Sequence, residues 1–405
     1  MATLRKLIVV GASVGVLALG VWGWRAAAAD PFGARQIDTE NLPFDSLTYA
    51  YHTFLWYNPA AALHLDWTRM SNYQHVKQIF AWEDIQPGRD LWVWAQADEV
   101  VQTADEKNVQ IIARLSDAPD WTHPTAGVKD RDWHDAPPDN VADFGNFCGE
   151  VAGRYATRIK AYQIWNEPNL DREWGNRTPN AAGYVELLAG CSAAIREADP
   201  NAIIISAGLS PTGTWSEEVT PDDIYLQQMY DAGFSQYVDV VGVHAPGFSD
   251  VTYGPDDAER DGNGRWATFR RVEDLRKIMV RNGDAAKQMA ILEMGWTVAP
   301  PELEAYAWFA VDEPTQADNL VEAHAYIAEH WRPWVGLVTT IYLADPAWDE
   351  GDEEMYFAIT LPNNWARPAL ANLGNMPKYC IGGVVPPRHP GSPEAIGLDD
   401  SLPCN

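Results

Sequence analysis

Basic residues are scarce in this chain. Its 405 residues hold 29 Lys and Arg against 57 Asp and Glu, for a net charge of −28. Nucleic-acid partners call for basic patches, so this balance argues against them, and it disfavours anionic membrane surfaces as well. Cysteines number only four, Cys148, Cys191, Cys380 and Cys404, and no pair has C-x-x-C spacing. Zinc ribbons and dithiol redox sites are thereby set aside. The nine His show no H-E-x-x-H or comparable metal spacing, so no metal or other cofactor is expected. "GLSPTG" around Ser210 lacks the G-x-S-x-G of a nucleophile elbow. No Gly-rich dinucleotide fingerprint follows the first expected strand, and no segment repeats at a fixed period. The acidic run "DEGDEE", Asp349 to Glu354, lacks EF-hand spacing and reads as a solvated loop.

One long apolar run stands apart from the rest. "MATLRK" is a short basic stretch, "LIVVGASVGVLALGVWGW" is 18 uncharged residues, and "RAAAAD" supplies small residues suited to signal peptidase. Residues 1–29 therefore read as an export signal, with a retained N-terminal anchor as the alternative. Either way the remainder is expected outside the cytoplasm, secreted or tethered by that segment, where four cysteines suggest two disulfides. Residues 30–44 read as a linker. Residues 381–405, rich in Pro and Gly, read as a surface tail.

Between them, over residues 45–380, one pattern recurs: a short β-branched apolar run, a polar loop, then an amphipathic stretch. The runs are "LTYAYHTF", "VKQIFAW", "VQIIARL", "IKAYQIW", "AIIISAG", "VDVVGVH", "MAILEMG" and "GLVTTIYLA". Strands alternating with helices imply a parallel sheet covered by helices, and eight strands close a (β/α)₈ TIM barrel; a doubly wound open sheet is the structural alternative. Four cysteines permit three connectivities, of which proximity in such a barrel favours Cys148 with Cys191 and Cys380 with Cys404. Tryptophan is abundant at 19 residues. Indole faces stack on the apolar faces of sugars, although they also serve as core.

Catalytic groups of such barrels sit at the C-terminal ends of strands. The fourth run ends on Asn166 and Glu167, and the seventh carries Glu293 near its end. The two glutamates are 126 residues apart, or 42 for each of three βα units. Ends of opposite strands face a common mouth, where two carboxylates can lie about 5–5.5 Å apart, the separation of retaining glycosidases; inverting enzymes need about 6.5–9.5 Å. One carboxylate would attack the sugar. The other would protonate the leaving oxygen, with a pKa raised by its charged neighbour and by burial. A lone Glu after a strand is more often a loop or salt-bridge residue; the pair at strands four and seven is what reverses that reading.

"WNEPN" and "ILEMGW" resemble the acid/base and nucleophile motifs of the clan A glycoside hydrolases, a large (β/α)₈ superfamily, with families 39, 5 and 42 the nearest in flavour. "VKQIFAWEDIQPG", "ARLSDAPDW", "VVGVHAPG" and "NWARPAL" are similar to further motifs of that clan, in the same order. The resemblance implies an exported retaining hydrolase of a β-linked carbohydrate, with Glu167 as acid/base and Glu293 as nucleophile. It implies Asn166 at the sugar 2-hydroxyl and His244 beside the nucleophile, a buried structural His being the alternative. Trp296 and Trp121 are the candidate stacking platforms, and Arg114 a polar contact or interior ion pair. Three positions depart from the pattern: Lys77 stands where many members have Arg, no Tyr follows His244 closely, and Tyr342 is the nearest aromatic to the usual eighth-strand Trp. A non-catalytic carbohydrate-binding protein on the same barrel, or a transglycosylase, are the alternatives.

Overall fold

All eight apolar runs form strands in the computed structural model, which describes residues 30–123, 136–380 and 383–385. They are β1 (Thr48–Thr53), β2 (His75–Ala81), β3 (Gln110–Ser116), β4 (Ala161–Ile164), β5 (Ile203–Ser206), β6 (Val240–His244), β7 (Gln288–Met294) and β8 (Val335–Thr340). Each pairs in parallel with the next, and β8 pairs with β1, so the sheet closes into a (β/α)₈ barrel. The strands read as nearly continuous apolar runs because both faces are covered. Val76, Phe80, Ile111, Leu115, Val241 and Ile291 pack outward on the helices. Ala50, Ile112, Ala161, Ile205, Val240, Ala290 and Leu337 fill the barrel's interior.

The helices begin where short polar side chains can cap them. Asn140 accepts from the Ala142 amide at the start of Val141–Arg154, and Asn180 from that of Gly183 at the start of Ala181–Ala198. Asp312 accepts from Thr315 N–H ahead of Glu313–Tyr326, with Pro314 in the first turn. Val141–Arg154 and Ala181–Ala198 approach closely because Gly145 and Gly149 present no side chain to Gly190 and Ala194. A Cβ on either glycine would lie 3.2 Å from the facing helix. That approach brings Cys148 and Cys191 into the expected disulfide. The other expected partner, Cys404, lies outside the described residues.

The stretch read as a linker packs on the barrel. Phe44 joins the interior cluster, its amide and carbonyl both bonded to the Gln288 side chain, and the Phe32 carbonyl accepts from Arg276. The expected tail begins as a short antiparallel pair, Lys378–Cys380 with Gly383–Val385. Among the described residues no helix is long and apolar enough to cross a membrane; residues 1–29 lie outside them.

Because 43 residues separate the two cysteines, Cys148→Ala/Cys191→Ala is expected to lower unfolding stability by about 2–4 kcal/mol, through lost loop-closure constraint. Urea denaturation checks this.

Candidate active site

Two departures from strand regularity build the site. Within β7, Met289 and Ile291 face the helices and Ala290 and Leu292 face the interior. Strict alternation would next send residue 293 outward. The register slips here: Val243 pairs with Ile291, but His244 pairs with Glu293. The extra residue is a bulge, and it turns Glu293 into the barrel mouth. At the end of β4 the device is different. Trp165 takes a left-handed φ of 68° and packs outward on Phe144 and Trp174, and Glu167 has φ 31°. Backbone of this kind in non-glycine residues costs roughly 1–3 kcal/mol each and gathers at functional sites. Here it points Asn166 and Glu167 into a cavity of about 490 Å³.

The two carboxylates meet in that cavity. Oxygens of Glu167 and Glu293 and a ring nitrogen of His244 all lie within 4.8 Å of one another. Lys77, wholly buried on β2, extends its ammonium to 2.8 Å from Glu293 Oε1 and 3.3 Å from the Leu292 carbonyl. Tyr342 donates its hydroxyl to Glu293 Oε2 at 3.2 Å. His52, from β1, sits 3.6 Å from Oε1. Burial pushes the Glu293 carboxyl up, but the surrounding His244, Lys77 and His52 outweigh it and hold the pKa well below the ordinary value. Burial, with the adjacent Lys77 charge, pushes the His52 imidazole well below its ordinary value. Tyr342 is pushed far up by burial and by Glu293, and stays a donor.

Glu167 departs from expectation. Burial again pushes its carboxyl up, yet His244 Nδ1, 2.7 Å from Oε1, and Arg172, 3.7 Å from Oε2, draw it below its ordinary value. The neighbouring Glu293 still pushes Glu167 up, as does burial, but His244 and Arg172, which both face Glu167, outweigh them. His244 itself fits only because residue 208 is glycine: a Cβ there would lie 2.1 Å from the imidazole. The spacing of Glu167, His244 and Glu293 could also hold a cation, but Lys77 already supplies the positive charge beside Glu293.

Asn166, Arg114 and Tyr342 line the same cavity. Asn166 is buried, its Oδ1 3.4 Å from the Gln163 amide, and Arg114 donates to Ser116. The two expected tryptophan platforms are elsewhere. Trp296 is completely buried, its indole N–H donated to the Ser249 carbonyl. Trp121 packs edge-on against Trp82 and donates to the Gln86 carbonyl. The cavity's aromatic wall comes instead from Phe54, directly after β1, from Phe248 after β6, and from the loop residues Trp266, Trp308 and Trp348. Sequence reasoning also missed His52, although "YHTF" places it beside a strand end. It missed Arg172 and read Glu353 and Glu354 as solvated loop. Both glutamates line the cavity, and Glu353 pairs with Arg172 at 3.3 Å.

A closed parallel barrel with paired carboxylates at the C-terminal ends of β4 and β7 defines a clan A glycoside hydrolase, an enzyme acting on glycosyl bonds. More particularly, the family model "Cellulase (glycosyl hydrolase family 5)" matches residues 36–255, over half of the chain. The chain belongs to that family. Among solved structures, it resembles a family 39 glycoside hydrolase from Bacteroides cellulosilyticus WH2 with a TM-score of 0.57 at 14% identity, covering 83% of this chain and 64% of that one. It resembles a GH39 β-xylosidase from Caulobacter crescentus at TM-score 0.58 and 14% identity, over 83% and 73% of the two chains. Xylanase 10B of Thermotoga petrophila RKU-1 follows at TM-score 0.53 and 16% identity, over 81% and 92%. The chain thus spans less than two thirds of the Bacteroides protein's length. No curated protein matches the chain in sequence.

Lys77→Met leaves Glu293 in the barrel mouth without its cation, and unfolding stability should fall by about 3–5 kcal/mol at neutral pH. Since the pair lowers the folded pKa of Glu293, its contribution is complete above the ordinary carboxylate range and fades as pH falls toward the folded value. The gap between wild type and variant should therefore narrow on acidification. An equal gap at acidic and neutral pH, in urea titrations, would contradict the assignment.

Proposed function

We propose that this enzyme hydrolyses β-linked glycosides with retention, Glu293 acting as nucleophile and Glu167 as acid/base. The observation that carries the proposal is the unequal treatment of two carboxylates whose oxygens lie within 4.8 Å: one held by a buried ammonium, the other by an imidazole. That spacing supports the close approach of a retaining pair, about 5–5.5 Å between carboxyl groups, over the wider separation of an inverting one.

In the first step a Glu293 oxygen bonds to the anomeric carbon as the bond to the leaving oxygen breaks, and Glu167 gives that oxygen its proton. In the second, Glu167 takes a proton from water, the water oxygen bonds to the anomeric carbon, and Glu293 leaves. Lys77 and Tyr342 keep Glu293 ionised and fix its plane. His244 holds the Glu167 carboxyl in place through its 2.7 Å hydrogen bond. Asn166, beside Glu167 in the cavity wall, would bond the sugar 2-hydroxyl, and Arg114 would be a further polar contact, a reading supported by both lining the cavity.

The neighbours' descriptions name a β-xylosidase and a xylanase in complex with xylobiose; neutral β-linked sugars are accordingly the substrate class to test. Export is part of the same reading, supported by the apolar N-terminal run and by the Cys148–Cys191 disulfide. Cell fractionation with N-terminal sequencing of the mature chain tests it, and a cytoplasmic chain beginning at residue 1 would refute it.

Proton NMR of the first-formed product from an aryl β-glycoside should show the β-anomer; the α-anomer would refute retention. Glu167→Gln should lose about 10²–10⁴-fold in kcat on poor leaving groups, and Glu293→Gln at least as much. Because His244 lowers the Glu167 pKa, His244→Asn should raise it. The protonated acid then persists to higher pH, and the alkaline limb of kcat/KM moves upward. An unmoved limb would separate His244 from the acid.

A further inference from the structure

Seven large apolar side chains are strongly exposed among the described residues: Tyr57, Leu91, Val93, Trp215, Trp308, Trp365 and Val384. Six of them lie on loops that leave the C-terminal ends of strands, the same end of the barrel as the two carboxylates. The four aromatics come from four different loops, after β1, β5, β7 and β8. Their exposures are 70% for Tyr57, 64% for Trp215, 59% for Trp308 and 73% for Trp365. A soluble surface with no partner has little reason to gather its exposed aromatics on one end.

Each of these loops first lines the cavity and then puts an aromatic outside it. Phe54 faces the cavity and Tyr57 follows. Pro211 faces it and Trp215 follows, and after β8 Phe357 precedes Trp365. Trp308 does both, lining the wall while more than half exposed. The outer aromatics are held out by ordered backbone. Tyr57 has φ 52°, a costly conformation for a bulky residue. It is fixed by the Asn58 amide to the Leu55 carbonyl and by the Asn58 side chain to the Phe54 carbonyl. Trp365 sits on a tight turn closed by Leu361 N–H to its own carbonyl. His64, on the helix that follows Tyr57, bonds Asn364 of that turn at 3.0 Å.

We propose that Tyr57, Trp215 and Trp365 form a docking rim for a neutral polysaccharide that extends beyond the cavity, so the enzyme settles on a polymer surface through its catalytic face. This rests on the glycosidase reading above. The occupant is argued from residue type, position and charge. Four of the six exposed apolar side chains on this end are aromatic, Leu91 and Val93 being the aliphatic two, and flat aromatic faces are what stacking on pyranose rings requires. These aromatics stand on loops that also carry residues of the cavity wall. A net charge of −28 opposes an anionic bilayer or a polyanion at the same face.

The test uses the full chain carrying Glu293→Gln, so that polymer is not consumed, in co-sedimentation with microcrystalline cellulose and with insoluble xylan. It should pellet with at least one of them. Adding Tyr57→Ala/Trp215→Ala/Trp365→Ala should weaken that binding roughly tenfold or more. The same three substitutions in the active chain should leave kcat/KM on a soluble aryl β-glycoside within about twofold, since none of them lines the cavity. Circular dichroism establishes that the triple variant is folded, and the three single variants repeat the test if it is not. Pelleting unaffected by the substitutions, no pelleting with either polymer, or pelleting only with phosphatidylserine vesicles would each overturn the proposal. An active chain inert toward every aryl glycoside would instead count against the hydrolytic reading, and polymer binding by the Glu293→Gln chain would still be measured independently.

Discussion

The site depends on one enclosed ion pair. Lys77 is wholly buried, and an ammonium in that position is tolerable only because Glu293 lies 2.8 Å away and the Leu292 carbonyl takes a second hydrogen bond. The pair has a chemical consequence. It keeps Glu293 ionised, while at Glu167 the pull of His244 and Arg172 outweighs burial and the charge of Glu293. The two glutamates thus stand in different environments although their oxygens lie within 4.8 Å. Arginine would provide a fork at such a position; lysine provides a single point charge, which Tyr342 complements on the other oxygen.

Geometry at this pair comes from backbone irregularity rather than from regular strands. The bulge at His244 and Glu293 re-aims a residue that alternation would have sent outward. The left-handed Trp165 does the same at β4 by packing its indole outward on Phe144 and Trp174. Both features are anchored in the outer layer, so the packing of helices against the barrel bears on the positions of the carboxylates. Gly208 belongs to the same scheme, since any larger residue would occupy the space of the His244 ring.

Around the carboxylates the aromatic residues divide into two populations. Trp82, Trp165, Trp296, Trp331 and Trp334 are fully buried and serve the core. Those lining the mouth or standing outside it come from loops, where backbone turns rather than strand periodicity decide which way a ring faces. Abundance alone could not separate these populations, and this is why Trp121 and Trp296 were natural but misplaced candidates for the cavity wall.

The sequence by itself determined the eight strands, their order and the strand ends that carry Asn166, Glu167, His244 and Glu293. Period and chain position are local properties, and short β-branched runs between amphipathic stretches state them directly. The Cys148–Cys191 pairing followed from the same topology. Only the tertiary structure decided what each polar group meets. That Lys77 reaches Glu293, that His244 faces Glu167 more closely than Glu293, and that Arg172 pairs with Glu353 across 181 residues depend on contacts between distant loops and strands. The packing of residues 30–44 on the barrel floor was hidden for the same reason, since Phe44 has no local partner and finds Gln288 at a separation of 244 residues. A pKa follows such neighbours and not the motif. The lowered Glu167 was therefore illegible in "WNEPN", which shows where a carboxylate emerges and not which charges it emerges among.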